Sequence, residues 1–104
     1  MRRHVVLVAL VLGCASQRDV VGAALGVAGP AIVEFHVRER AACIEIAKTR
    51  EEATACMVLV DDRYVPIYVG YEKARLVYEA EGEALAAYCD LAKVFPDAPQ
   101  EPCR

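Results

Sequence analysis

Five cysteines, Cys14, Cys43, Cys56, Cys89 and Cys103, carry most of the chemistry this 104-residue chain can offer. As thiolates they could hold zinc or act as nucleophiles; oxidised, they would cross-link the chain. The sequence has no Cys-x-x-Cys pair and its only histidines are His4 and His36, so the ligand spacing of a zinc site is missing and no metal site is expected. His36 is the one acid–base candidate beyond the N-terminal residues. Its neighbours along a helix would be Glu39 at i+3 and Arg40 at i+4. A single histidine beside charges reads as a surface group and not as a catalyst. Glu51/Glu52, Asp61/Asp62 and Glu79/Glu81/Glu83 offer carboxylates of the kind glycosidases use. Glu79 and Glu83 stand one helical turn apart, however, which is the pattern of a solvated face. The expectation is therefore no catalytic residue, no cofactor and no enzymatic activity.

Cys14 stands apart from the other four. Arg2 and Arg3 precede eight unbroken apolar residues, Val5 to Leu12, and Gly13-Cys14-Ala15-Ser16 follows. A basic start, a short apolar run and a small-residue exit form an export signal, and the run is far short of the roughly 20 residues that span a bilayer. Val11-Leu12-Gly13-Cys14 resembles the lipobox of bacterial lipoproteins. That resemblance implies that residues 1–13 are removed as a signal peptide and that Cys14 is lipidated. It also implies that the mature chain is anchored to a membrane. In that family an aspartate after the cysteine favours retention at the inner membrane. Ala15-Ser16 lacks it, so the resemblance implies an outer-membrane, periplasm-facing anchor, with the inner membrane or secretion as alternatives. A continuous apolar run is also what a buried strand looks like, but no glycine-rich phosphate loop or second strand–helix unit follows.

Loss of Arg2 and Arg3 leaves 10 Lys+Arg against 15 Asp+Glu, a formal charge of −5. Such a surface repels phosphates, so nucleic acid is not an expected partner. Nor does it attract anionic lipid, so acyl chains would have to supply membrane affinity.

The chain after Cys14 must position four cysteines. Residues 14–19 read as a lipidated tether. Val20 to Val33 carries no charge and is too short to cross a membrane as a helix; it either begins the core or rests on the membrane. Pro30 should kink or restart a helix there. Apolar residues at helical spacing continue to Ala47, and Thr49 with Glu52 makes a capping box, which predicts a turn near 48–49. Tyr64, Tyr68, Tyr71, Arg75, Tyr78, Gly82, Leu85 and Cys89 step by alternate fours and threes, the seam of an amphipathic helix. Tyr71, Tyr78 and Leu85 are expected to be buried in that seam, and an exposed aromatic stripe for a partner would be the functional alternative. Pro66 argues for a kink or a restart near Asp61–Asp62, with Asp62 as a cap of the restart. The spans are about 20–47, 50–60 and 62–95, with 96–104 as an extended proline-rich tail. The fold class is all-α: a helical hairpin or small bundle over residues 20–95, stapled by disulfides, after an N-terminal signal segment.

With Cys14 assigned to lipid, four cysteines remain, and three pairings are open. A turn at residue 49 brings opposite helices into register where residue numbers sum to about 98–99. This favours Cys43 with Cys56 and leaves Cys89 for Cys103. A turn near residue 66 would pair Cys43 with Cys89 and Cys56 with Cys103. The expected protein is a small membrane-anchored lipoprotein with a structural or interaction role and an envelope protein as partner. Similarity in size and cysteine usage to small phage and prophage lipoproteins suggests a lysis component of the outer-spanin kind as an alternative. An enzyme inhibitor and, ranked last, an enzyme are the remaining alternatives.

Overall fold

A computed structural model describes residues 17–81 and 84–104. The expected signal segment, Cys14 and Gly82 fall outside the described residues. The fold is all-α: α1 (Gln17–Ile46), α2 (Arg50–Glu81) and α3 (Leu85–Val94), followed by a single 3₁₀ turn (Glu101–Cys103), with no strand among the described residues. Helix α1 thus begins inside the expected tether.

α1 and α2 form an antiparallel hairpin closed by residues 47–49. The Thr49 Oγ1 accepts a hydrogen bond from the Glu52 N–H (3.1 Å). Glu52 reaches back to the Lys48 N–H (2.9 Å), one residue beyond the usual return partner in a capping box.

Both prolines lie inside helices that continue through them, Pro30 in α1 and Pro66 in α2. The expected restart at 61–62 does not occur. A proline frees the carbonyl four residues earlier, which here belongs to Gly26 or Asp62. Both prolines and both of these residues are exposed, so the freed carbonyls can be hydrated. Asp61, moreover, is engaged across the hairpin by residues of α1. The break falls instead between Glu81 and Leu85, so the single helix expected over 62–95 is two helices.

α3 packs back on α2. Its Leu91 lies against Gly70, where an added Cβ would be in ordinary contact at 3.6 Å. The core sits at this end of the hairpin. Val21, Leu25, Ala28 and Ile32 of α1 meet Tyr64, Ile67 and Ala74 of α2, and Tyr88, Leu91 and Phe95 close the third side. Phe95 meets Phe35 edge-on, with ring centroids 5.9 Å apart. At two glycines of α1 the space a Cβ would take is filled by a tyrosine of α2. A Cβ on Gly22 would stand 2.3 Å from the Tyr78 hydroxyl oxygen, and one on Gly29 2.7 Å from that of Tyr71. Tyr71, Tyr78 and Leu85 are half-buried and not enclosed as expected. The hydroxyl ends of Tyr78 and Tyr71 pack against Gly22 and Gly29 of α1.

The tail does not run extended. The Tyr88 hydroxyl donates to the Pro99 carbonyl (2.6 Å), and the Gln100 amide donates to the carbonyls of Ala92, Pro96 and Ala98 (3.3, 3.2 and 2.9 Å). Burial, then Glu101, push the Tyr88 phenol up to about 12, which keeps it a neutral donor. Cys89 and Cys103 have their sulfurs 2.08 Å apart, and Cys43 and Cys56 2.00 Å apart.

The molecule measures 60 × 33 × 19 Å with a radius of gyration of 17.8 Å; a compact domain of this length would be near 13 Å. α1 and α2, at 1.5 Å per residue, run about 45 and 48 Å, longer than the 10-residue α3 can cover. α1 is also long and apolar enough to cross a membrane by composition, although a quarter of its most apolar stretch (28%) is buried in the fold.

Candidate functional site

Midway along the hairpin, where α3 ends and the bare arm begins, polar side chains from α1 and α2 converge. His36 lies on α1; Asp61 and Tyr68 lie two turns apart on α2 and so bracket its ring. The His36 Nε2 is 2.8 Å from Asp61 Oδ1, and Nδ1 is 3.0 Å from the Tyr68 hydroxyl. A carboxylate accepts only, so Asp61 fixes the proton on Nε2 of the neutral ring and leaves Nδ1 to accept from Tyr68. The second Asp61 oxygen is held by the Arg40 guanidinium. Arg40 first, and His36 second, hold the Asp61 carboxyl below the usual aspartate range.

The face of His36 stacks on Tyr64, with centroids 4.5 Å apart and planes 16° from parallel. Burial first, and Glu39 second, push the Tyr64 phenol well above its ordinary value, so it stays neutral. Glu39 Oε1 accepts from Arg63 (2.7 Å), and the Arg63 guanidinium also lies over the Tyr64 ring at 5.9 Å. Glu39 Oε2 is buried without a hydrogen bond of regular geometry.

The acid–imidazole–hydroxyl order is that of a proton relay. Only His36, however, is turned into the helix–helix seam; Asp61 and Tyr68 stay partly exposed, and Arg40 neutralises the acid. What the arrangement does in the folded chain is cross-link α1 to α2 where little apolar area is available to do so. Sequence neighbours misplace His36 here. Glu39 and Arg40 are its neighbours along the helix, but its ring bonds Asp61 and Tyr68 on the other helix. The signal that could have found this is the hairpin register itself: His36 and Asp61 sum to 97, close to the 98–99 of a turn at residue 49.

Tyr68 connects this cluster to an open groove of about 570 Å³ on the face opposite α3, lined by Gly29, Pro30, Val33, Val69 and Tyr71 among others. The tyrosines divided between core and surface accordingly: Tyr64 and Tyr88 are buried, Tyr71 and Tyr78 lie in the seam, and Tyr68 is exposed. Among the described residues no three Cys, His, Asp or Glu side chains are grouped as metal ligands would be. Cys14, the expected lipidation site, lies outside the described residues. Cys43, Cys56, Cys89 and Cys103 occupy the two bridges. Comparison with protein-family models, curated proteins and solved structures finds no match.

Proposed function

We propose that the protein is a small lipid-anchored envelope protein with a structural or protein-interaction role, held at a bacterial outer membrane through Cys14 and facing the periplasm. The cysteine arrangement carries this reading. Four cysteines stand in two pairs at bonding distance, chemistry that persists in oxidising compartments. The fifth is Cys14, at the end of Val11-Leu12-Gly13-Cys14. The interaction role is supported by an apolar face on the hairpin that the chain's own third helix leaves open.

The test is metabolic labelling in a Gram-negative host. The protein should incorporate labelled fatty acid and sediment with outer membranes, and Cys14→Ser should abolish labelling and release the chain from the membrane. Equal labelling of the Cys14→Ser variant, or free thiols at Cys43, Cys56, Cys89 and Cys103 in the protein as isolated, would refute it.

A further inference from the structure

We propose that the open face of α1 is a self-association surface, through which two copies of the chain pair antiparallel about a two-fold axis. The stripe consists of Val27, Pro30, Val33, Val37, Ala41 and Ile44, spaced by threes and fours along one side of the helix. All six are exposed, the four large ones at 51–61%. Pro30 and Val33 are also one wall of the open groove, whose other wall is Tyr68 and Val69 of α2. A helix laid along this stripe would sit in the groove and complete a four-helix arrangement from two hairpins.

The identity of that helix follows from the order of residues along the stripe. Placed antiparallel on itself, α1 matches where residue numbers sum to about 71, with apolar side chains opposite apolar ones as a two-fold interface requires. Val27 then faces the partner's Ile44, Pro30 the partner's Ala41, and Val33 the partner's Val37. In the same register Glu34 faces the partner's Arg38, and the symmetry makes this contact twice. Within one chain Glu34 and Arg38 already pair (2.6 Å) with both side chains more than half exposed. That pair would become a four-charge cluster across the axis. A parallel pairing would set like charges against each other, and an unrelated partner would have no reason to match this order. The inference names a partner for the interaction role proposed above, yet it does not depend on acylation. At 1.5 Å per residue the two Gln17 positions would stand about 55 Å apart, and both can face one membrane if the axis is normal to it.

The experiment is sedimentation equilibrium on the full chain carrying Cys14→Ser, with helicity checked for each variant by circular dichroism. A dimer is expected. Arg38→Glu should weaken it about tenfold or more, because both cross-axis contacts become repulsive. Glu34→Arg should do the same. Mixing the two singly reversed variants should restore a dimer, since a chain with two positive groups at these positions would then face a chain with two negative ones. Val37→Asp should leave a folded monomer. A monomeric parent chain would overturn the proposal, as would a dimer indifferent to Arg38→Glu or a failure of the mixture to associate. A chain that is monomeric in solution but binds neutral phosphatidylcholine vesicles through the same stripe would assign the face to lipid and also overturn it. Failure of fatty-acid labelling would leave all these outcomes unchanged, so the two proposals fail separately.

Discussion

The two ends of the hairpin are held together by different physics. The base consists of α1 as far as Ile32, α2 from Tyr64 onward, α3 and the tail. The arm is the remainder of α1 and α2 out to the turn at 47–49. Of the buried hydrophobic residues described, only Cys43 and Val60 belong to the arm; the others lie in the base, which has a third helix to bury against. The arm exposes Ile44, Ile46, Val58 and Leu59 on its surface. Its helices are joined by the Cys43–Cys56 bridge at one end and by the His36, Asp61, Arg40, Glu39 and Arg63 cluster at the other. The difference teaches that two long helices with little shared apolar area can be kept paired by a few directional links. Such links answer to redox state and pH in a way that buried area does not.

Breaking the base should have the largest effect. Leu91 is fully buried against Gly70, and Leu91→Asp would place an unpaired charge there. A loss of about 4 kcal/mol or failure to fold is expected. Leu59→Asp, on the exposed side of the arm, should change stability by no more than about 0.5 kcal/mol. Urea unfolding of both variants measures the contrast, and similar losses at the two sites would show that the arm is covered in solution.

A smaller effect should follow from opening the arm alone. Replacing Cys43 and Cys56 together by alanine removes a bridge that closes a loop of 13 residues, a loss of about 3 kcal/mol. The loss should be regional. Amide hydrogen exchange should accelerate across residues 40–60 while Ile67, Ala74 and Leu91 keep their protection. Uniform acceleration over both regions would mean that base and arm unfold as one unit.

The smallest effect concerns pH. Asp61 is held below its ordinary value by Arg40 and His36. The stability it contributes is therefore present above the unfolded aspartate value of about 3.9 and is lost as pH falls through its lower folded value. Thermal unfolding followed below pH 5 should show this loss, and Asp61→Asn should be less stable at pH 7 with a flatter acid slope. An unchanged slope in Asp61→Asn would assign the acid sensitivity to other carboxylates, of which Glu72 beside Arg75 is the first to examine.

Legibility varied with the range over which the determining force acts. The turn was readable because Thr49 and Glu52 meet within one helical turn. With the turn placed, antiparallel register puts Cys43 across from Cys56, because helix rise is the same on both sides. The separation of α2, ending at Glu81, from α3, beginning at Leu85, was not readable. Fours and threes continue smoothly from Tyr64 to Cys89, and such spacing states which residues share a face without stating whether the helix carrying them is one piece. The prolines misled for a related reason. A proline's local cost depends on whether the carbonyl it frees meets water, and in this fold the Gly26 and Asp62 positions are exposed.

The sequence by itself determined the helical class, the hairpin turn and the spacing of its cysteines, since these rest on periodicity, capping and short separations along the chain. Only the tertiary structure decided that α3 folds back on one face and leaves the other open. It also decided that His36 bonds to Asp61 and Tyr68 and not to its helical neighbours. Both outcomes depend on which faces of separate helices meet, and that is set by the packing of the whole chain, not by any segment of it.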